Sequence, residues 1–361
     1  MKDKIFGVTE HTDNFNKISK TESILVLGSS ECIQNPYITI AIPTYNRIDT
    51  LKEAIDSALN QKNIEFDYEI IIVDNQPDSN INNKTEKLIK TYADPRILYY
   101  RNKDNLGMFG NWNRCIELSR GKWVSFLHDD DLLKTDYLSK VYRFLAKKKN
   151  VGAIVSNYGY FGKKSHLIIN NKNSFNYIVK NYIRGLIKNK YIRIRPIDII
   201  ITNGNPYGAP TCGALFNKEF VIKEGGFNEE LFPSGDWFFL IQFNKNYRIY
   251  KPIDLFGYYR IEINEYLNPN TLRESVKDAS ILRELNRGNS FLGKLIYYLF
   301  NYEDHARRVD GAIKSDKSMT IKPEEFNGLC EYKIRPFAQI LYKVVYKIFW
   351  RVKQINACLF S

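Results

Sequence analysis

The sequence lacks the local patterns that identify several common classes of enzyme. No GxxxxGK[ST] loop is present and no GxGxxG follows the first predicted strand, which excludes the usual phosphate-binding and dinucleotide-binding loops. No GxSxG or HExxH segment occurs, so neither a serine-hydrolase elbow nor a zincin helix is indicated. The five cysteines form no CxxC pair and therefore indicate neither a zinc site nor a redox disulfide.

Long uncharged apolar runs are also missing. The first 20 residues contain no apolar core of a secretion signal, and the longest uncharged run, 199–217, holds two prolines and three glycines. We therefore expect a cytoplasmic protein, at most peripheral on the inner face of the cell membrane. The 53 Lys and Arg against 40 Asp and Glu give a net charge of +13, which favours anionic partners such as nucleotides or anionic lipid.

Strand-like and helix-like segments alternate as far as about residue 150. Apolar runs ending in polar residues indicate buried strands, and apolar residues at helical spacing lie between them. We predict strands over 37–43, 68–75, 96–100 and 122–127, and helices over 50–61, 85–92 and 137–148. We predict that 105–119 is a loop that runs into a helix. Thr50 and Glu53 match a capping box for the first of these helices. The pattern predicts an α/β protein with a doubly wound, mostly parallel sheet, in which ligands bind beyond the carboxyl ends of the strands.

Three adjacent aspartates, Asp129, Asp130 and Asp131, follow the apolar run WVSFL at one of these strand ends. Clustered carboxylates suit a hard divalent cation, which is often held together with substrate phosphates. His128, next to the cluster, is the histidine we expect near the cation or a diphosphate. The alternative interpretation is a solvated acidic turn or an aspartate that caps the following helix.

Four blocks of the sequence together resemble the large inverting family-2 glycosyltransferases of bacterial surface polysaccharide assembly. The blocks are ITIAIPTYNRIDTLKEAIDSALNQ, YEIIIVDN, NLGMFGNWNRCIELSRGKWVSFLHDDDLL and GALFNKEFVIKEGGFNEELFPSGDWFF, and the resemblance covers about residues 37–265. It implies a GT-A fold, which is a nucleotide-sugar-binding sheet with an acidic metal site of the DXD type. It also implies Mn²⁺ or Mg²⁺ as cofactor, a nucleotide sugar such as a UDP-sugar as donor, and a glycan or lipid-linked acceptor.

The resemblance also assigns roles to individual residues. Those expected to contact the nucleotide sugar lie at strand ends and in the loops after them: Pro43, Thr44, Tyr45, Arg47, Asp74, Asn105, Gly107, Asn111 and Asp129. Asp74 would bind the uracil or the ribose. Asp130 and Asp131 would hold the metal, and Asp236 in the segment SGDW would be the catalytic base. For Asp236 the alternative is an N-cap of the helix that follows it.

Two positions depart from the family pattern. Gly235 stands before Asp236, where the family usually has Glu, and Glu262 follows YYR where many relatives place a His that reaches the metal or the diphosphate. Glu262 could still ligate the metal. An aspartate with the ordinary pKa of about 3.9 is ionised at neutral pH, so Asp236 could accept the acceptor's proton. One base opposite the leaving diphosphate implies a single displacement with inversion.

We divide the chain into an N-terminal extension over 1–35, a GT-A domain over 36–265 and a helical C-terminal region over 266–361. Within the domain, 36–150 would bind the nucleotide and 151–265 the acceptor. The segment 163–195 carries nine Lys and Arg without an acidic residue, and 333–361 combines an apolar stripe with six Lys and Arg. We expect that tail to lie on an anionic membrane surface; packing against protein is the alternative.

Three other functional interpretations are compatible with parts of the sequence. A catalytically inactive, membrane-tethered subunit of the same fold would keep the sheet and the tail without transfer. A sugar-nucleotidyltransferase would need a glycine-rich triphosphate loop, and PTYNRIDT contains no glycine. Nucleic-acid binding is supported by net charge alone, so we expect no nucleic-acid partner.

Overall fold

A computed structural model describes most of the predicted GT-A region. The described residues are 12–77, 84–163, 190–195, 198, 212–262 and 268–286, with single helical positions at 291, 294, 340, 344, 348 and 352. Most of the basic block over 163–195 and most of the tail over 333–361 lie outside these residues.

The described strands and helices alternate over the first half of the chain. The strands are β1 Ser23–Leu27, β2 Ile38–Thr44, β3 Tyr68–Asp74, β4 Ile97–Asn102, β5 Trp123–Leu127, β6 Leu132–Leu133, β7 Val151–Ile154, β8 Tyr158–Phe161, β9 Tyr191–Ile194, β10 Cys212–Asn217, β11 Arg248–Pro252 and β12 Gly257–Arg260. The helices are α1 Asn14–Ile18, α2 Ile48–Leu59, α3 Lys84–Ile89, α4 Gly107–Leu118, α5 Tyr137–Lys147, α6 Lys218–Lys223, α7 Gly235–Asn246 and α8 Pro269–Asn286, with a 3₁₀ turn at Glu229–Leu231.

Nine strands form the main sheet in the order β1-β4-β3-β2-β5-β10-β7-β11-β9, and β6-β12-β8 form a second, small sheet. Strands β4, β3, β2 and β5 are parallel neighbours. The chain therefore builds outward from β2 to β4 and then returns to the other side of β2 with β5. This reversal between β2 and β5 is the topological switch point at which doubly wound sheets bind ligands. The predicted fold class is confirmed.

The central strands are buried on both faces, as their continuous apolar sequences indicate. In β3 every residue is buried, and alternate side chains enter two different cores. Ile70 and Ile72 pack with α2 in one core, whereas Ile71 and Val73 pack with α4 in the other. The two helices thus cover opposite faces of the sheet and hold the carboxyl ends of β2 and β5 in place.

The predicted N-terminal extension contains two elements that the sequence pattern did not indicate. The helix α1 packs near α4, and β1 pairs antiparallel with β4 at the edge of the main sheet. Arg114 of α4 anchors this segment, because its guanidinium donates to the carbonyl of Ile18 at 2.8 Å and to that of Thr21 at 2.6 Å. The domain division itself stays a prediction.

The capping-box prediction was wrong. Helix α2 begins at Ile48 with Arg47 in the N-cap position, so Thr50 already lies inside the helix. The chain turns into the helix earlier than expected, through Asn46 with a φ of 54°. The carboxylate of Glu53 is instead bound by the guanidinium of Arg260, at 2.9 Å.

The glycine before Asp236 has a packing reason. A Cβ on Gly235 would lie 2.7 Å from a ring carbon of Phe109 and 2.9 Å from the carbonyl oxygen of Asn228. Phe109 is fully buried in the core of α4 and α7, so its ring has no room to move away. The chain therefore cannot carry the family's usual Glu at this position without repacking.

We expect Gly235→Ala to destabilise the protein by about 1–3 kcal/mol, the usual cost of overpacking a core. Helix propensity alone would predict the opposite sign, a gain of about 1 kcal/mol for Ala over Gly. Urea denaturation distinguishes the two, and an unchanged or raised midpoint would contradict the packing argument. As a control, the double variant with Phe109→Leu should lose less stability than the sum of the two single variants, because the smaller side chain relieves the clash.

Candidate active site

The acidic cluster lies directly beyond the carboxyl end of β5, at the switch point, and it is buried. Asp129, Asp130 and Asp131 are only 6%, 8% and 0% exposed. The solvated-turn interpretation is therefore wrong. Three neighbouring carboxylates in such a place need cationic or hydrogen-bonding partners, since burial of an uncompensated charge is costly.

Asp129 is held by the loop that follows β2. Its Oδ2 accepts a hydrogen bond from Thr44 Oγ1 at 2.7 Å, and its Oδ1 lies 3.8 Å from the guanidinium of Arg47. Burial raises the pKa of Asp129 to about 7; the charge of Arg47 opposes this shift and that of Asp130 adds to it. Thr44 and Arg47, both predicted nucleotide contacts, thus lie beside the cluster.

Arg47 also forms the shortest ion pair of the site. Its guanidinium lies 2.5 Å from Asp130 Oδ2, and its side chain is 44% exposed. The arginine therefore extends from the buried carboxylates to the solvent. An arginine in this position is suited to bind a phosphate group of a ligand.

Arg260, at the end of β12, holds the other side of the cluster. Its backbone N–H donates to Asp131 Oδ1 at 2.9 Å, and its Nε donates to the backbone carbonyl of Asp130 at 2.8 Å. The guanidinium stacks over the ring of Phe161, 4.3 Å from its centroid. Sequence reasoning missed this residue, although it lies in the YYR segment immediately before the predicted ligand Glu262.

One group of side chains in the described residues is arranged as a cation site. One potential ligand atom from each of His128, Asp130 and Asp131 lies within 4.8 Å of the others. Asp131 Oδ2 is buried and accepts no hydrogen bond from the part of the chain that the structure describes. Burial lowers the pKa of His128 to about 4, so its imidazole is neutral at neutral pH and can act as a ligand. These residues fit Mn²⁺ or Mg²⁺.

Glu262 lies next to this group without being part of it. Its Oε1 is 3.7 Å from the guanidinium of Arg260 and the side chain is about one-third exposed. The histidine of the group is thus His128, directly after β5, and three possible ligands are present without one from the YYRIE segment. Metal binding by Glu262 stays a prediction.

The predicted nucleotide side contains one exposed and one buried residue of interest. Tyr45 directly follows β2 and is 53% exposed, which leaves its ring accessible to a ligand. Asp74 is fully buried: its carboxylate accepts hydrogen bonds from the hydroxyl of Tyr99 at 2.9 Å and from the backbone N–H of Gln76 at 3.0 Å. Its predicted contact with uracil or ribose stays a prediction.

Asparagines join the ends of β3 and β4 to α4. Asn75 donates to Asn105 Oδ1 at 2.8 Å and to the carbonyl of Gly107 at 3.0 Å. Asn102 donates to Asn75 Oδ1 at 3.0 Å and to Asn111 Oδ1 at 2.9 Å. Of the three predicted contacts in this block, Asn111 is therefore buried in a positioning role, whereas Asn105 lies at the exposed start of the helix.

Glu229 is a second residue that sequence reasoning missed. Its carboxylate accepts hydrogen bonds from the backbone N–H groups of Met108, Phe109 and Gly110 at 3.2, 2.6 and 3.1 Å. The charge satisfies the free N-terminal amides of α4, which favour an anion. Gly107, with a φ of 75°, is required there because a Cβ would lie 2.6 Å from this carboxylate. No local signal connects positions 120 residues apart.

Asp236 lies in the first turn of α7, whose N-cap is Ser234. The alternative interpretation of Asp236 as the N-cap is therefore wrong. Burial raises the pKa of Asp236 to about 7, and the charge of Asp278 on α8 adds to the shift. The carboxylate is thus a stronger base than the ordinary aspartate assumed from the sequence. Its role in catalysis stays a prediction.

Solved structures with the same fold include TarS from Staphylococcus aureus and a mannosyltransferase from Pyrobaculum calidifontis. Residues 1–349 of TarS from Staphylococcus aureus, crystallised with UDP-GlcNAc, align over 89% of this chain and 88% of that one, with a TM-score of 0.52 and 14% identity. The mannosyltransferase PcManGT from Pyrobaculum calidifontis, in complex with GDP-Man and Mn²⁺, aligns over 99% and 95%, with a TM-score of 0.51 and 14% identity. At this identity the comparison establishes the fold alone.

Sequence relatives include an uncharacterized glycosyltransferase of Methanocaldococcus jannaschii, 26% identical over 58% of this chain. The poly(ribitol-phosphate) beta-N-acetylglucosaminyltransferase TarP of Staphylococcus aureus is 34% identical over 35% of the chain. These matches span 65% and 38% of the relatives' own lengths. The sequence profile described as Glycosyl transferase family 2 matches residues 39–222, about half of the chain. The chain therefore belongs to glycosyl transferase family 2.

Proposed function

We propose that the protein is a divalent-cation-dependent, inverting glycosyltransferase. It takes a sugar from a nucleoside diphosphate sugar, a UDP-sugar, and attaches it to a hydroxyl of a glycan or lipid-linked acceptor in surface polysaccharide assembly. The observation that carries this proposal is the group of His128, Asp130 and Asp131, buried at the switch point of a family-2 sheet. A cation site at this place suits a substrate that brings phosphate oxygens of its own.

The donor side of the reaction follows from the charges around the cluster. His128, Asp130 and Asp131 would hold the cation, which as a Lewis acid would stabilise negative charge on the leaving diphosphate. Arg47 is half-exposed and lies against Asp130, so its guanidinium is positioned to bind a diphosphate oxygen. Thr44 and Arg260 keep the carboxylates in place. Tyr45 and Asp74 would contact the nucleoside.

Asp236 would take the proton of the acceptor hydroxyl. With a pKa of about 7, it is largely ionised above neutral pH and still basic enough to share a proton in the transition state. A base on the face of the sugar opposite the diphosphate gives one displacement and inversion. A double displacement would need a nucleophilic side chain next to the sugar, and the proposal includes none.

The relatives guide the choice of donor and pathway. TarP is named as a poly(ribitol-phosphate) beta-N-acetylglucosaminyltransferase, and the TarS structure contains UDP-GlcNAc. PcManGT was crystallised with GDP-Man and Mn²⁺, so the fold accepts a guanine nucleotide as well. We favour a UDP-sugar because the TarS structure contains UDP-GlcNAc and TarP is named as an N-acetylglucosaminyltransferase.

The C-terminal tail would hold the enzyme at an anionic membrane surface. Ile340, Val344, Ile348 and Val352 are helical and 62%, 47%, 56% and 49% exposed. Residues four apart lie on one side of a helix, and the segment 333–361 carries six Lys and Arg without an acidic residue. In the described residues no helix is long and apolar enough to cross a membrane.

The metal site is tested by Mn²⁺ binding and by donor binding separately. We expect Asp130→Ala to weaken Mn²⁺ binding, followed by electron paramagnetic resonance, by at least tenfold. We also expect it to abolish the Mn²⁺-dependent thermal stabilisation by a UDP-sugar, which is about 2.7 kcal/mol at 100 times the dissociation constant. Asp49→Ala, an exposed carboxylate on α2, is the control. If no UDP-, GDP-, CMP- or dTDP-sugar stabilises the wild type or the control, the result would favour an inactive subunit.

Asp236 is tested by the pH profile of transfer. Because the base must be ionised, log(kcat/KM) should rise with pH below about 7 and level off above it. Asp278→Asn should move the inflection to lower pH, because the charge of Asp278 raises the pKa of Asp236. Asp236→Asn should bind the donor normally and transfer no sugar. A profile that is identical in the Asp278→Asn variant would argue against Asp236 as the titrating base.

The tail is tested by sedimentation with lipid vesicles. Replacing Ile340, Val344, Ile348 and Val352 by Ser should weaken binding to vesicles that contain phosphatidylglycerol by at least tenfold, because the apolar contact is lost. Vesicles of phosphatidylcholine alone should bind the wild type poorly, because the attraction of the basic residues is missing. Equal sedimentation of wild type and quadruple variant would favour packing of this helix against protein.

A further inference from the structure

Three tyrosines share one face of the small sheet. Strands β8 and β12 are parallel, and their register places Tyr160 opposite Tyr259. Because side chains alternate along a strand, Tyr158, Tyr160 and Tyr259 point to the same side. Their ring centroids lie 5.5 Å apart for Tyr158–Tyr160, 5.5 Å for Tyr158–Tyr259 and 6.4 Å for Tyr160–Tyr259. We call these three residues the tyrosine face.

The tyrosine face is accessible. Tyr160 is 37% exposed, and Tyr158 and Tyr259 are partly exposed. Clustered aromatic rings that remain in contact with water often mark a ligand surface. A tyrosine offers both a flat apolar ring and a hydroxyl, so such a cluster suits a ligand with C–H groups and hydroxyls on one molecule. A pyranose ring has this composition.

The tyrosine face continues into the cation site. Tyr259 directly precedes Arg260, whose backbone N–H binds Asp131. Burial lowers the pKa of Arg47, but Asp129, Asp130 and the phenol of Tyr259 outweigh it, so the pKa is raised. Tyr259 and Arg47 are therefore close enough to interact. A molecule lying on the tyrosines would therefore reach the diphosphate side of the crevice with one end.

The small sheet belongs to a different part of the fold from the predicted nucleoside contacts. Tyr45 follows β2 and Asp74 ends β3, and both strands lie on one side of β5 in the main sheet, whereas β10 lies on the other. The small sheet contacts β10, where a Cβ on Gly257, on the same face as Tyr259, would lie 2.9 Å from Cys212 Sγ. It also contacts α2. With the donor on the β2 and β3 side, the tyrosine face is left for the acceptor.

We propose that the tyrosine face binds a pyranose of the acceptor glycan, with its ring stacked on Tyr160 and Tyr259 and its hydroxyls directed to the tyrosine hydroxyls. This proposal rests on the proposed function, because it takes the donor to lie on the β2 and β3 side. It assigns the recognition of the acceptor to residues of β8 and β12.

Saturation-transfer NMR with simple sugars tests the proposal. The probes are the p-nitrophenyl glycosides of glucose, galactose, mannose and N-acetylglucosamine, titrated into the full chain with Mn²⁺ and UDP. We expect at least one glycoside to bind the wild type, with the strongest transfer to protons on one face of its sugar ring. Tyr160→Ala and Tyr259→Ala should each weaken that binding at least tenfold, whereas Tyr160→Phe, which keeps the ring, should retain most of it.

Tyr258→Ala is the matched control. Tyr258 lies on the same strand and is 38% exposed, but it points to the opposite face, next to Phe161 at 6.5 Å. The Tyr258→Ala variant should bind the glycosides as the wild type does. Thermal melting verifies that all variants are folded. Binding unaffected by Tyr160→Ala and Tyr259→Ala, or no binding of any glycoside to the wild type, would overturn the proposal.

The same samples distinguish this failure from failure of the proposed function. Donor binding is measured separately, by the Mn²⁺-dependent thermal shift with UDP-sugars. A donor that binds while no glycoside does refutes the tyrosine face and leaves the transferase proposal standing. A glycoside that binds through the tyrosines while no nucleotide sugar does refutes the transferase proposal instead.

Discussion

The site depends on how three buried carboxylates are kept beside one another. Asp129, Asp130 and Asp131 are almost inaccessible to solvent, and their mutual repulsion is offset by Arg47 on one side and Arg260 on the other. The two arginines differ in what they can do. Arg260 is buried, bonded to backbone and to Glu53, and therefore fixed. Arg47 is half-exposed, as the proposed contact with a phosphate requires.

This arrangement needs the doubly wound topology. Arg47 and Thr44 come from the loop after β2, the aspartates from the loop after β5, and Arg260 from the small sheet. Only the adjacency of β2 and β5 brings the first two loops together, because the chain between them builds β3 and β4 elsewhere. The switch point thus collects charges that are more than 80 residues apart in sequence.

Supporting residues around the site act through backbone groups. Glu229 neutralises the N-terminal amides of α4, and Asn75 joins that helix to the ends of β3 and β4. Such contacts fix the N-terminus of α4 relative to the strand ends. Asp236, the proposed base, is likewise held in place by its neighbours. Gly235 packs closely against Phe109, which fixes the first turn of α7.

Much of the fold could be read from local sequence, because apolar runs and helical spacing report burial directly. The runs of β2, β3 and β5 and the face of α2 appear in the structure within one or two residues of their predicted bounds. The acidic segment was recognised as a candidate site because three adjacent aspartates repel one another and seldom stabilise the end of a buried strand. Edge strand β1 was not recognised, since its pairing with β4 depends on a surface that another part of the chain supplies.

The partners of the site residues were decided by tertiary structure alone. Glu53 matched a local capping box, yet its carboxylate binds Arg260, because the helix begins three residues earlier than the motif requires. Asp236 was expected to have an ordinary pKa, and burial beside Asp278 raises it to about 7. The sequence by itself determined which residues are acidic, basic or apolar and which elements they join. Burial, and the charges that distant elements bring within a few ångströms, determined what those residues can do.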